Sequence, residues 1–271
     1  MKLFILVTAF ALCHISSASA QDASAQNAEA DLTVMTYNIR VGLGADGARQ
    51  ENEPHWRLEG IADVIRTSGA DVVLLQEVDK NRERTNGVDQ AAFLAEELDF
   101  EYRYAPAIET DDGQMYGIAV LSRWPIEDES VTQLFQPDYS DHEPEVPSYY
   151  SEQRLAQTVT IEAPFGSFTA INTHLGLTYE QRVRQLEELA SIAADQKADG
   201  PVVLGGDLNS QPDVPSLWPL RKQLRDVYLF HTNENNLTSH MDIGDRLTFP
   251  SDEPARCIDY LFVSEDEFDV L

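Results

Sequence analysis

Basic residues are scarce in this chain. Its 271 residues include 19 Lys and Arg against 47 Asp and Glu, a formal charge of −28. A surface this acidic repels polyanions and lacks the basic stripe that duplex binding needs, so long nucleic acid is a disfavoured partner. Adaptation to a salty medium, where the field is screened, would explain the imbalance, and so would a substrate that is not a long nucleic acid. Cysteine is nearly absent. Only Cys13 and Cys257 occur, and Cys13 lies in a segment that reads as removable, so no internal disulfide is expected. Cys257 reads as a small buried apolar residue rather than a reactive thiol. Also missing are a Gly/Ser or Pro-rich linker, a repeat of fixed period and any run of the roughly 18 apolar residues that a membrane span requires. What is left is one domain, whose 42% apolar content suffices for a sizeable core.

Residues 1–20 differ from the rest. Lys2 is followed by an apolar run over 3–12 and by Ser16-Ser-Ala-Ser-Ala20, the pattern of a secretory signal peptide cut after Ala20. Residues 21–30 then form a flexible leader and 31–271 the domain. The expectation is an exported protein, periplasmic or extracellular, monomeric and without a transmembrane segment. Losing Lys2 makes it one unit more acidic.

Strand and helix patterns alternate along the domain, which predicts an α/β fold. Residues 32–39 alternate as a strand, with Leu32, Val34, Thr36 and Asn38 on one face. Leu58, Ile61, Val64 and Ile65 carry a helical stripe opened by Pro54 and stopped at Gly69. The run 71–77 is a buried strand ending on Glu77. Asp89 can cap a helix bearing Phe93, Leu94 and Leu98, and Thr178 with Gln181 spells a capping box. Further strands are expected over 101–107, 117–121, 131–135, 155–161, 168–174 and 256–263. Residues 137–151, acidic and rich in proline, read as a surface loop beside a cleft.

Several apolar strands end on polar residues: Asn38, Glu77, His174 and Asp207, the last followed by Asn209. Each alone has a bland explanation, such as a strand-end amide, an exposed charge or a turn residue. Together they suggest one rim, where carboxylate and amide oxygens suit a hard cation and a phosphate. Asp259 sits inside an apolar strand and needs a partner, because a buried acid is costly alone. Arg154 either adds a cation to that rim or is an ordinary surface arginine.

Tyr37-Asn38, Gln76-Glu77, Asn172-Thr-His174, Gly206-Asp-Leu-Asn209 and Ile258-Asp-Tyr-Leu-Phe-Val263, in that order, resemble the endonuclease/exonuclease/phosphatase superfamily of metal-dependent phosphoesterases. The resemblance implies a four-layer α/β/β/α sandwich, two mixed sheets packed face to face with helices outside. It also implies an Mg²⁺ cofactor, with Mn²⁺ as the alternative, at Asn38 and Glu77. Asp207 takes the position that orients or deprotonates the attacking water, Asn209 a phosphate or metal contact, and His174 a phosphate or leaving-group contact. Asp259 matches the acid that holds a catalytic histidine. That histidine belongs to a closing Ser-Asp-His motif that does not occur here, so the domain reads as incomplete at its C-terminal end. Cys257 stands where close relatives often carry a basic residue. The function implied is an exported Mg²⁺-dependent hydrolase of phosphate esters. The alternatives are a secreted nuclease or, if the chain truly ends at Leu271, a non-catalytic binding module.

Overall fold

A computed structural model describes residues 10–17, 31–43, 57–139, 147–229, 247–265 and 267–270. The strands are β1 (Phe10–Ser17), β2 (Asp31–Asn38), β3 (Val72–Lys80), β4 (Glu101–Glu109), β5 (Met115–Ser122) and β6 (Ile126–Gln133). They continue with β7 (Leu155–Ala163), β8 (Gly166–His174), β9 (Val202–Asp207), β10 (Arg225–Asp226), β11 (Asp259–Val263) and β12 (Phe268–Val270). The helices are α1 (Leu58–Ser68), α2 (Gln90–Leu98), α3 (Tyr179–Asp199) and the short α4 (Trp218–Arg221).

The strands form two six-stranded sheets, β12-β1-β2-β3-β5-β4 and β10-β11-β9-β8-β7-β6. Each has one parallel pair joined through a helix, β2–β3 across α1 and β8–β9 across α3, and its other pairs are antiparallel. This follows from the sequence, since a parallel pair needs a crossover long enough to hold a helix.

Three apolar layers hold the sandwich together. Leu32, Val34, Val72, Leu74 and Val120 of the first sheet meet Val159, Phe168, Ala170, Val203 and Leu261 of the second. Met35, Tyr37, Val73 and Leu75 face α1 and α2, whereas Ile171, Val202, Leu204 and Phe262 face α3 and α4. Strands buried on both faces explain the continuous apolar runs at 72–75 and 202–204. The expected four layers are therefore present, helices outside and sheets face to face.

The helix boundaries follow their caps. Asp89 accepts from the amide of Ala92 at 3.1 Å, both halves of the Thr178/Gln181 capping box form, and Gly69 ends α1 with φ at 71°. Pro54 lies outside the described residues, as do 140–146 of the acidic loop.

Some strand bounds differ from the sequence reading. The strand expected from 131 begins at Ile126, and its next seven residues are exposed. It is an edge strand lying open to solvent, so its Glu127-Asp128-Glu129 run shows no apolar alternation, and such charge discourages further pairing. The strand expected from 256 begins at Asp259, because Arg256 instead closes a hairpin by bridging to Phe249. Within the segment expected to be removed, Phe10–Ser17 pairs with β2 from Phe10 opposite Tyr37 to Ser16 opposite Asp31.

Candidate active site

The alternation that builds the inter-sheet core also builds the site. Leu32, Val34, Thr36 and Asn38 form one inward row, Phe168, Ala170, Asn172 and His174 a second, and Val203, Gly205 and Asp207 a third. Val263, Leu261 and Asp259 run the opposite way in β11 and end at the same level. Asp207 is the Cα partner of both His174 and Asp259, so three neighbouring strands line up three titratable groups. Gly206 makes this possible: with φ at 152°, an added Cβ would lie 2.0 Å from the carbonyl oxygen of Thr173.

These ends open into a cleft of about 520 Å³ that Asn38, Glu77, Arg154, His174, Asp207, Asn209 and Asp259 all line. Every predicted site residue is thus brought together. The Nδ2 of Asn38 donates to Glu77 at 2.9 Å and to Asp207 at 3.1 Å, and its Oδ1 accepts from the amide of Arg40 at 3.0 Å. Asp207 also accepts from the amide of Asn209 at 2.9 Å. Asn209 spends one amide hydrogen on the carbonyl of Leu175 at 2.9 Å, which fixes its side chain at the end of β9.

Arg154 is not a surface residue. It is 4% exposed, pairs with Glu152 at 3.0 Å and reaches Nδ1 of His174 at 3.1 Å. An arginine can only donate, so Nδ1 is the acceptor nitrogen and the ring proton sits on Nε2. Nε2 lies 3.7 Å from Asp207, too far for a hydrogen bond. Burial, with the positive charge of Arg154, pushes the His174 pKa well down, so the ring is neutral near pH 7.

The carboxylates are under opposite pressure. Burial pushes Asp207 up to about 6 and Asp259 well above the usual carboxylate range, and the charge of Asp207 raises Asp259 further. Asp259 is 2% exposed and neither of its oxygens makes a well-aligned hydrogen bond among the described residues; the nearby Thr248 hydroxyl, which accepts from the Asp259 amide at 3.3 Å, favours the charged form but is outweighed by burial. Among the described residues the cleft lining holds five carboxylates, with Glu152 and Asp252 joining Glu77, Asp207 and Asp259, against three arginines, Arg40, Arg154 and Arg256.

A bound cation would favour the charged forms of these acids. Among the described residues no group of three His, Cys, Asp or Glu side chains could hold a metal alone. Glu77 and Asp207 nevertheless converge on one amide nitrogen, and Asp259 offers two unpartnered oxygens. That donor set fits Mg²⁺, which takes one or two carboxylates and completes its shell with water and substrate phosphate. Glu77 and the oxygen of Asn38 are the candidate ligands.

Sequence reasoning missed several lining residues. Glu152 stands two before Arg154, and Arg40 two after Asn38, so the same strand-end logic could have found them. Tyr116 faces the cleft with Arg84 stacked 5.3 Å from its ring, and Arg84 in turn grips the fully buried Asp79 with two bonds of 2.7 Å. Tyr149, on the described part of the acidic loop, forms one wall, and the hairpin bearing Phe249 and Asp252 forms another. The first wall agrees with the loop that the sequence places beside a cleft, whereas nothing local in the sequence announces the second.

Comparison with known proteins agrees with this architecture. Residues 35–270 match the Endonuclease/Exonuclease/phosphatase family. The chain is 28% identical over 193 residues to the uncharacterized protein YbhP of Escherichia coli strain K12, which covers 68% of this chain and 69% of that one. Among solved structures it resembles a mannosyl-6-phosphatase of Bacteroides thetaiotaomicron, with TM-score 0.61 and 19% identity over 86% of this chain and 85% of that one. The human Nocturnin catalytic domain gives a TM-score of 0.57 and 19% identity, covering 89% and 87% of the two chains.

Proposed function

The chain belongs to the endonuclease/exonuclease/phosphatase family, and on that premise we propose that it is an exported, Mg²⁺-dependent hydrolase of phosphate esters, acting as a monomer on a small monoester or diester. One observation carries the reading. Glu77, Asp207 and Asp259 converge with Arg154 and His174 at one end of the inter-sheet core.

Each side chain then has a task. Asp207, with a pKa pushed up to about 6, orients a water and takes its proton near neutral pH as the water oxygen attacks phosphorus. Arg154 donates to a phosphate oxygen, and Nε2–H of neutral His174 donates to another or to the departing ester oxygen. Asn209 steadies the phosphate. Glu77 and Asn38 would hold Mg²⁺, which when bound neutralises phosphate charge in the transition state. The ester P–O bond breaks and the departing oxygen, hydrogen-bonded by Nε2–H of His174, takes a proton from solvent, while Asp207 returns to solvent the proton it took from the water.

The net charge of −28 and the surplus of acids in the cleft support a substrate with one phosphate rather than a polyanion. Support for export comes from the leader-like residues 1–20. The test is turnover of bis(p-nitrophenyl) phosphate and p-nitrophenyl phosphate with Mg²⁺, beside plasmid and single-stranded DNA at low and high salt. Asp207→Ala and Glu77→Ala are expected to abolish hydrolysis while circular dichroism stays native. Near-wild-type turnover by either variant at saturating Mg²⁺ would refute the assignment. Robust DNA cleavage at low salt would replace the small ester with the secreted-nuclease reading, and no turnover of any ester would favour a binding module.

A further inference from the structure

Strict alternation cannot explain Glu77. Along β3, Val72 and Leu74 face the other sheet while Val73 and Leu75 face the helices. Gln76 continues the inward row, so the next residue of a regular strand would point to the helix side, away from the cleft. Glu77 reaches the cleft because the β3–β5 register slips between Leu75 and Val78 and its own φ is 55°. A left-handed conformation is unfavourable for a residue other than glycine and persists only where the surroundings enforce it.

The enforcing contact comes from the opposite sheet. Nδ2 of Asn172, in β8, donates to the carbonyl of Leu75 at 3.0 Å and to that of Ala119 at 2.9 Å. Those two residues face each other on the last regular rung before the slip. Oδ1 of Asn172 accepts from Nε2 of Gln76 at 2.8 Å, and that nitrogen also lies 3.1 Å from Oγ1 of Thr36. Asn172, Gln76 and Thr36 are completely buried. Among the described residues the Asn172 carboxamide therefore bonds to β3 and β5 around the bulge. A buried polar group this fully committed is costly to disturb.

We propose that Asn172 is a positioning residue. By bonding to both carbonyls of the rung at which the bulge begins, its carboxamide holds Glu77 turned into the cleft and so sets the affinity of the site for a divalent cation. This rests on the metal-dependent reading above.

The test compares Mn²⁺ binding, by titration calorimetry on the full chain, in wild type, Asn172→Ala, Asn172→Ser and Val120→Ala. Val120 is equally buried in the same inter-sheet core but its apolar side chain makes none of these hydrogen bonds, so truncating it controls for lost stability alone. Supporting residues behind metal ligands typically change affinity by roughly 10–100-fold. That loss is expected for Asn172→Ala and a smaller one for Asn172→Ser, which keeps one donor, whereas Val120→Ala binds like wild type. With excess Mg²⁺ the substrate KM of Asn172→Ala should return to the wild-type value. Amide exchange at Glu77 and Val78 in the metal-free protein should also be faster in Asn172→Ala than in Val120→Ala.

Folded Asn172→Ala with wild-type Mn²⁺ affinity overturns the proposal and leaves the function reading standing. Wild type that binds no Mn²⁺ overturns both. Should neither Asn172 variant fold, the nearly isosteric Thr36→Val replaces them, with a several-fold weakening expected and an unchanged affinity overturning the proposal.

Discussion

Replacing Asp259 with asparagine should stabilise the metal-free protein while ending its activity. The carboxylate is 2% exposed, neither of its oxygens makes a hydrogen bond among the described residues, and its Cα partner across the sheet is another acid, Asp207. Burying an unpaired ion costs several kcal/mol even after relaxation. An amide of the same shape removes the charge but leaves polar atoms to satisfy, so the net gain is set at about 2 kcal/mol. For a domain of this size each kcal/mol moves Tm by roughly 2–4 °C, which gives a rise of about 4–8 °C. The sign depends on pH. Because burial and Asp207 raise the native pKa of Asp259 above its unfolded value, wild type keeps its stability below the unfolded pKa, near 4, and loses it as pH rises through the native one. The gap between variant and wild type should therefore be small at about pH 4 and widest at about pH 8. Saturating Mg²⁺ should narrow it, since a cation in the cleft attracts the Asp259 carboxylate of wild type but not the neutral amide of the variant, and so stabilises wild type more. The assay is calorimetric melting in EDTA at several pH values and again with Mg²⁺. If the Asp259→Asn variant melted at or below wild type at the alkaline end in EDTA, the reasoning would be refuted, because the carboxylate would then have a favourable partner.

Two further predictions concern the cation in the cleft and the start of the chain. Arg154→Lys keeps one charge but cannot reach both Glu152 and Nδ1 of His174 as a planar fork does. It should cost about 1.5–3 kcal/mol of transition-state binding, the range for a hydrogen bond to a charged group, read as a roughly tenfold or greater fall in kcat/KM; unchanged kcat/KM would remove Arg154 from the phosphate. N-terminal sequencing of the protein recovered outside the cytoplasm should begin at Gln21, whereas recovery with Met1 would assign Phe10–Ser17 and its pairing with β2 to the working fold.

Much of the site could be read from the chain because strand alternation fixes which side chains share a face. Asn38, His174 and Asp207 each end an inward row whose earlier members are core residues. The acidic edge strand from Ile126 escaped notice for the converse reason: an exposed strand has no apolar period to detect. Arg154 stayed ambiguous because its burial depends on Glu152 and His174, the latter brought to it by the β7–β8 pairing rather than by its own neighbours.

The sequence by itself determined the α/β alternation, the caps of α2 and α3, the rows that end in polar groups and the strongly acidic charge balance. Tertiary structure alone decided which way Glu77 points, which nitrogen of His174 carries the proton, and that Asp259 lies buried beside Asp207 with its oxygens unpartnered among the described residues. The division has one physical cause. Periodicity and capping act over a few neighbouring residues and leave their mark in the local sequence. The bulge at Glu77, by contrast, is held by Asn172 from the facing sheet, 97 positions from Leu75, and the tautomer and the stranded carboxylate likewise depend on groups that only folding brings together.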